Sequence, residues 1–199
     1  MKKPLLWILV LGTLAALPVA SAATISVESL PGPVLQGSSF WLNVDVTTEV
    51  DPNTGQPENI WAYDFNLQFD PAVLQFLNAQ DGGFLPFADL ALASPVWDPY
   101  TPGDGSVGDI SNSLSGNAPG VTGTGVLVQV QFLALAGSPG TSVSPYGSIL
   151  LDFDLDQLGN VNEAGTQVTV TPSTAIPEPG TGWLLGLGLA AAVLRRVAR

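Results

Sequence analysis

The sequence predicts an all-β protein: a two-sheet sandwich of about eight or nine strands, set between two apolar terminal segments. Apolar residues recur at every second position in one segment after another, the signature of half-buried antiparallel strands. Clusters of Gly, Pro, Asn and Asp, as at residues 51–57 and 117–125, punctuate these segments. All five Lys and Arg side chains lie in the first three or last five positions of the 199-residue chain, so the body between them is purely acidic.

The elements follow in order. Residues 24–28 form a first short strand. Phe40, Leu42, Val44 and Val46 then alternate with Trp41, Asn43, Asp45 and Thr47. Tyr63, Phe65, Leu67 and Phe69 alternate with Ala62, Asp64, Asn66 and Gln68, again with one apolar face. Residues 73–77 and 107–114 are shorter candidates on either side of a long irregular stretch, 81–106, rich in Pro, Gly and aromatics. Val126, Val128, Val130, Phe132 and Ala134 predict an inward face, with Gln129 and Gln131 outward. Residues 141–145 follow. Leu151, Phe153 and Leu155 alternate with Asp152, Asp154 and Asp156, and residues 167–171 close the series. The body, 24–172, is long enough for one domain with its own core.

The ends read as targeting devices. Lys2-Lys3, an apolar run at 5–17 and Ala20-Ser21-Ala22 make the three parts of a secretory signal peptide, residues 1–22. At the other end, residues 180–194 carry no charge and run into Arg195-Arg196. Fifteen helical residues span roughly 22 Å against a hydrocarbon core of about 30 Å. Val197 and Ala198 extend the run if the arginines snorkel. A transmembrane segment at 180–194 with Arg195, Arg196 and Arg199 on the cytoplasmic side leaves the body outside. Pro177-Glu178-Pro179 stands just before it, and two prolines around a Glu keep the tripeptide extended at the membrane face.

Pro-Glu-Pro, Gly-Thr, a Leu/Gly/Ala-rich span and an Arg cluster, in that order, resemble the PEP-CTERM sorting signal. The resemblance falls within a linker and tail at 173–199. It implies recognition by exosortase, a membrane-embedded transpeptidase-like protease, and removal of the tail near the tripeptide. It also implies a Gram-negative cell with an exopolysaccharide matrix, an inner-membrane-tethered precursor, and a final place at the cell surface or in the matrix.

Composition excludes several functions. Of the 17 acidic side chains, all but Glu178 lie in the body, which has no cation. A phosphate backbone is therefore no partner, because counterion release needs Lys or Arg. Carboxylate repulsion must be relieved by spacing, salt or bound cations. No Cys means no disulfide, and the absence of His, with no Lys in the body, removes the common nucleophile and base arrangements. A carboxylate pair as in glycoside hydrolysis remains, yet no Glu sits in a Trp-rich apolar setting that would raise its pKa. The body reads as non-catalytic. Zinc lacks its usual ligands, whereas calcium takes oxygen alone. Asp152, Asp154 and Asp156 have the spacing that starts an EF-hand loop, but Gln157 replaces the Gly and no Glu stands at the twelfth position. At strand period the three carboxylates would share a face, as they would on any solvated strand. Asp98, Asp104 and Asp109 form a looser group.

The order of motifs in the body resembles the cohesin domain. Gln36-Gly37-Ser38-Ser39-Phe40 matches its early turn and strand, Phe69-Asp70-Pro71-Ala72-Val73-Leu74 its Asp-Pro junction, and Gly123-Thr124-Gly125 through Phe132 its later long strand. The resemblance implies a nine-stranded jelly-roll sandwich related to certain carbohydrate-binding modules. It further implies a non-catalytic module that binds a dockerin-like protein through one sheet face. Some cohesins carry Asn-x-Asp on the strand before Asp-Pro; the matching positions are Ala62 and Asp64, so only the Asp is kept. Asp64, Asn66 and Gln68 are the candidate partner face, replaceable without emptying the core. Asp70 is expected to shape the turn after its strand. The alternative is a carbohydrate-binding module for exopolysaccharide. Its platform candidates are Trp41, which points away from the Phe40 face, and Trp97 and Tyr100, which otherwise fold back to plug the end of the sandwich. Trp61 shares parity with Tyr63 and is assigned to the core.

Overall fold

The computed structural model describes residues 23–51, 55–85, 96–115 and 119–173. The predicted signal peptide, sorting tail and transmembrane segment lie outside the described residues. Among those described, no helix is long and apolar enough to cross a membrane.

Ten strands form two five-stranded sheets. They are β1 (Ala23–Val27), β2 (Val34–Leu35), β3 (Ser39–Thr48), β4 (Ala62–Phe69), β5 (Leu74–Asp81), β6 (Ser106–Ser113), β7 (Thr124–Ala134), β8 (Ser138–Leu151), β9 (Val161–Ala164) and β10 (Thr166–Thr171). Sheet A has the order β5-β7-β3-β1-β9, and sheet B the order β2-β10-β8-β4-β6. All pairings are antiparallel except β1 with β9 and β10 with β2. The strand count exceeds the expected eight or nine because β2 and β9 are too short to show a period in sequence.

The inner faces of β3 and β4 are the predicted ones. Leu42, Val44 and Val46 of β3 and Tyr63, Phe65, Leu67 and Phe69 of β4 are buried. Phe40 is half-buried and lies over Phe132, with ring centroids 6.0 Å apart. Phe132 in turn meets Phe69 and Phe76 edge-on. Trp61 packs against this core. Two chain reversals follow local chemistry. Gly37 takes φ 87 and donates its N–H to the Ala134 carbonyl, turning β2 into β3. Asp70 accepts the Ala72 N–H on its carboxylate and the Leu74 N–H on its carbonyl, so Asp-Pro forms the expected turn between β4 and β5. At Gly165 the chain passes from sheet A to sheet B, and an added Cβ would collide with the Ser144 side chain and the Val143 carbonyl.

Two sequence expectations are corrected. In β7 the alternation slips: Val44 faces Val128 but Asp45 faces Val126, so Leu127 is an inserted bulge residue. Leu127 is buried and Val126 is only half-buried, the reverse of a strict period of two. The second concerns the expected strand through Leu151, Phe153 and Leu155. The strand β8 ends at Leu151, and residues 152–156 form a turn. The Asp152 carboxylate accepts the N–H groups of Asp154 and Asp156, each at 2.9 Å, and Leu155 takes φ 64. A side chain that satisfies the backbone locally competes with the sheet ladder, and here it wins. Phe153 and Leu155 are therefore exposed.

Candidate functional site

The outer face of sheet B gathers the predicted partner residues. Because Tyr63, Phe65, Leu67 and Phe69 point inward along β4, Asp64, Asn66 and Gln68 point out. On one side they face β8, with Asp64 opposite Ile149, Asn66 opposite Tyr146 and Gln68 opposite Ser144. On the other they face β6, with Asp64 opposite Ser111 and Gln68 opposite Ser106.

Asn66 holds this face together. Both neighbouring strands are bulged beside it. Its side-chain oxygen accepts the Asp109 N–H at 3.2 Å, and its side-chain nitrogen donates to the Tyr146 carbonyl at 3.3 Å. Gly108 and Gly147 make this reach possible: an added Cβ would stand 3.3 Å and 3.1 Å from the Asn66 amide atoms. Gly147 also takes φ 65, and Asp109 takes φ 49. Asn66 therefore cannot be replaced as freely as a merely outward position would allow.

At one end of the face, Asp98 and Asp109 come close to Asp64. Partial burial holds the Asp64 carboxyl above its ordinary value of 3.8, and the Asp109 and Asp98 charges add to the effect. Asp98 arrives because residues 96–98 run along the free edge of β6. Val96 exchanges backbone bonds with Ser111, and the Asp98 N–H reaches the Gly108 carbonyl. Asp104 does not join them; it lies in the following turn, where its N–H bonds the Thr101 carbonyl. At the other end, Gln68, Asp70, Ser142 and Ser144 line an open groove of about 480 Å³. Tyr146 and Ile149, each 40% exposed, lie between the acidic end and the groove. These two are not among the predicted site residues, because the pattern along the chain ends their strand at residue 145 whereas β8 runs on to Leu151. The Ser142-x-Ser144-x-Tyr146 alternation was the available signal.

The remaining candidates lie elsewhere. Asp152, Asp154 and Asp156 occupy the turn described above and do not share a strand face. Among the described residues no group of acidic side chains is arranged to hold a metal ion. Trp97 and Tyr100 fold back onto the end of the sandwich, their rings 6.1 and 5.5 Å from that of Phe76, and both are only half-buried there. Trp41 is on the outer face of sheet A, opposite Gln131. Pro177, Glu178, Pro179 and the arginines lie outside the described residues.

A two-sheet sandwich with this strand arrangement is cohesin-like in fold. The solved structures similar to it include a cohesin module from a family 33 glycoside hydrolase of Clostridium perfringens, at TM-score 0.60 and 12% identity, with 77% of this chain and all of that one covered. A type II cohesin–X–dockerin complex from Acetivibrio cellulolyticus matches at TM-score 0.57 and 18% identity, over 75% of this chain and 99% of the other. A non-cellulosomal cohesin from the archaeon Archaeoglobus fulgidus matches at 0.52 and 15%, over 76% and 92%. At these identities the likeness is one of fold. The chain also carries a PEP-CTERM protein-sorting motif over residues 175–197. No curated protein matches the sequence.

Proposed function

We propose that this is an exported interaction module whose outer sheet B face docks a dockerin-like protein, and whose tail is processed by exosortase. The proposed organisation is a signal peptide at 1–22, the sandwich at 24–172, and a linker and sorting tail at 173–199 with a membrane segment at 180–194. The product would reside at the surface or in the matrix of a Gram-negative cell. The observation that carries the docking reading is the composition of one face. Asp64 and Gln68 bracket two exposed apolar side chains, Tyr146 and Ile149, beside a polar groove. Apolar anchors within a polar rim are what a protein partner uses.

The test is binding of purified dockerin modules to the chain, measured by surface plasmon resonance. Tyr146→Ala and Asp64→Ala should weaken capture while the melting temperature holds. Undiminished capture by both variants would remove the face from consideration. Processing is tested separately. Glu178→Ala, or Ser in place of Arg195, Arg196 and Arg199, should leave an unprocessed membrane form. A mature mass unchanged by these substitutions would rule out the sorting role.

A further inference from the structure

We infer that the outer face of sheet A is a second binding site, for a neutral polysaccharide laid across Trp41. Two cross-strand rows carry the inference. In the first, Gln80 donates to Gln129 at 2.7 Å, Gln129 donates to Asn43 at 2.8 Å, and Asn43 donates to Glu28 at 2.6 Å. This chain of side chains runs from β5 over β7 and β3 to the end of β1, about 14 Å at the usual strand spacing. It fixes the rotamers of the face before any ligand arrives, so little side-chain entropy is lost on binding.

The second row lies one outward position along the strands, about 7 Å away. Here Asn78 faces Gln131, and Gln131 faces Trp41. Among the described residues the side-chain amides of Asn78 and Gln131 make no hydrogen bond, and neither residue is buried. An amide offers a donor pair and an acceptor side by side, which suits vicinal sugar hydroxyls. An outward indole offers an apolar plane to the C–H face of a sugar ring. One ring flanked by open amides, beside a row of amides already locked in place, is an arrangement for a hydroxyl-rich ligand.

Charge selects which ligand. The body has no Lys or Arg, so an anionic polymer is repelled. The two acids on this face sit at one side of it: Glu28 is tied to Asn43, and Asp45 is held above its ordinary value by burial and by Glu28. The Trp41 row itself carries no charge. The apolar side chains here are Trp41 and the exposed bulge residue Leu77 beside Asn78, set among amides, and a protein partner would want more apolar area than these two supply.

Affinity electrophoresis of the purified full chain in a mild detergent tests this, with gels containing dextran, galactomannan or hydroxyethylcellulose, and alginate as the anionic control. At least one neutral polymer should retard the chain, and alginate should not. Trp41→Ala should weaken retardation roughly tenfold or more, and Trp41→Phe should retain part of it. Gln131→Ala should weaken it at unchanged melting temperature, which settles the matter if Trp41→Ala fails to fold. Asp64→Ala should leave retardation intact, separating this site from the docking face. Free migration in every neutral gel, or retardation that survives Trp41→Ala or Trp41→Phe undiminished, overturns the inference.

Discussion

The two outer faces of the sandwich share one core and differ in almost everything else. Sheet A presents three amides that bond one another across β5, β7 and β3 and end on the Glu28 carboxylate, with an indole in the next row. Sheet B presents crowded carboxylates, two exposed apolar side chains and two bulges held by a single Asn. The difference lies in what the bulges do to the face. The β3–β7 and β5–β7 ladders are each bulged once, at Leu127 and Leu77, yet the outward amides between those points still face one another and bond in a row. Beside β4 both bulges fall next to one residue, Asn66, which spends its amide on them, and the face there carries carboxylates and a groove. A row of amides suits a hydroxyl-rich ligand, and an uneven face suits a shaped partner.

The harshest break removes what the faces have in common. Phe132 is fully buried and meets Phe40, Phe69 and Phe76. Phe132→Ala should cost about 3–5 kcal/mol and lower the denaturant midpoint. Both binding activities should fall together, and loss of only one would mean the faces do not depend on a common core.

Asn66→Ala tests sheet B more finely. It leaves two bulge groups without their partner, so it should cost about 1 kcal/mol, whereas Asp64→Ala should stay within about 0.5 kcal/mol. Equal melting temperatures for the two variants would show that the Asn66 bonds are idle. On sheet A, Gln129→Ala cuts the amide row at its centre. About 0.5–1 kcal/mol is expected, with dockerin capture unchanged.

The smallest effect comes from titration. Asp45, Glu58, Asp64 and Asp81 all sit above their ordinary values of 3.8 for Asp and 4.5 for Glu, with partial burial the leading cause in each. Neighbouring acids add to it for Asp45, Glu58 and Asp64, while hydrogen bonds from Gly83, Asn112 and Gly82 partly offset it for Asp81. A raised carboxyl pKa means the folded chain holds more protons than the unfolded chain between the ordinary and the raised value. Stability therefore falls as pH rises through that window and stays lower above it. The melting temperature should climb as pH is lowered from neutral towards the carboxylate range. Asp64→Asn should flatten the climb, and added NaCl should raise the neutral-pH value by screening over about 8 Å. A melting temperature indifferent to both pH and salt would show that the repulsion is harmless on either face.

The sequence by itself determined the class of fold, the inward sets of β3 and β4 and the acidic, cation-free body. A period of two with one apolar face has a single low-energy solution, and composition does not depend on folding. Asp64 and Gln68 were legible as outward for the same reason, and the tail motif was legible because it is a linear signal. Only the tertiary structure decided where that period breaks. Leu127 turns inward because the β3–β7 register slips. Asp152 bends its segment out of the sheet by capping its own turn. Tyr146 and Ile149 join the outer face of sheet B across a bulge, and Asn66 becomes its fastener because Gly108 and Gly147 let it approach. The Gln80–Gln129–Asn43–Glu28 row needs four strands brought side by side from distant parts of the chain. Such pairings depend on register between strands, and no local pattern along one strand encodes that.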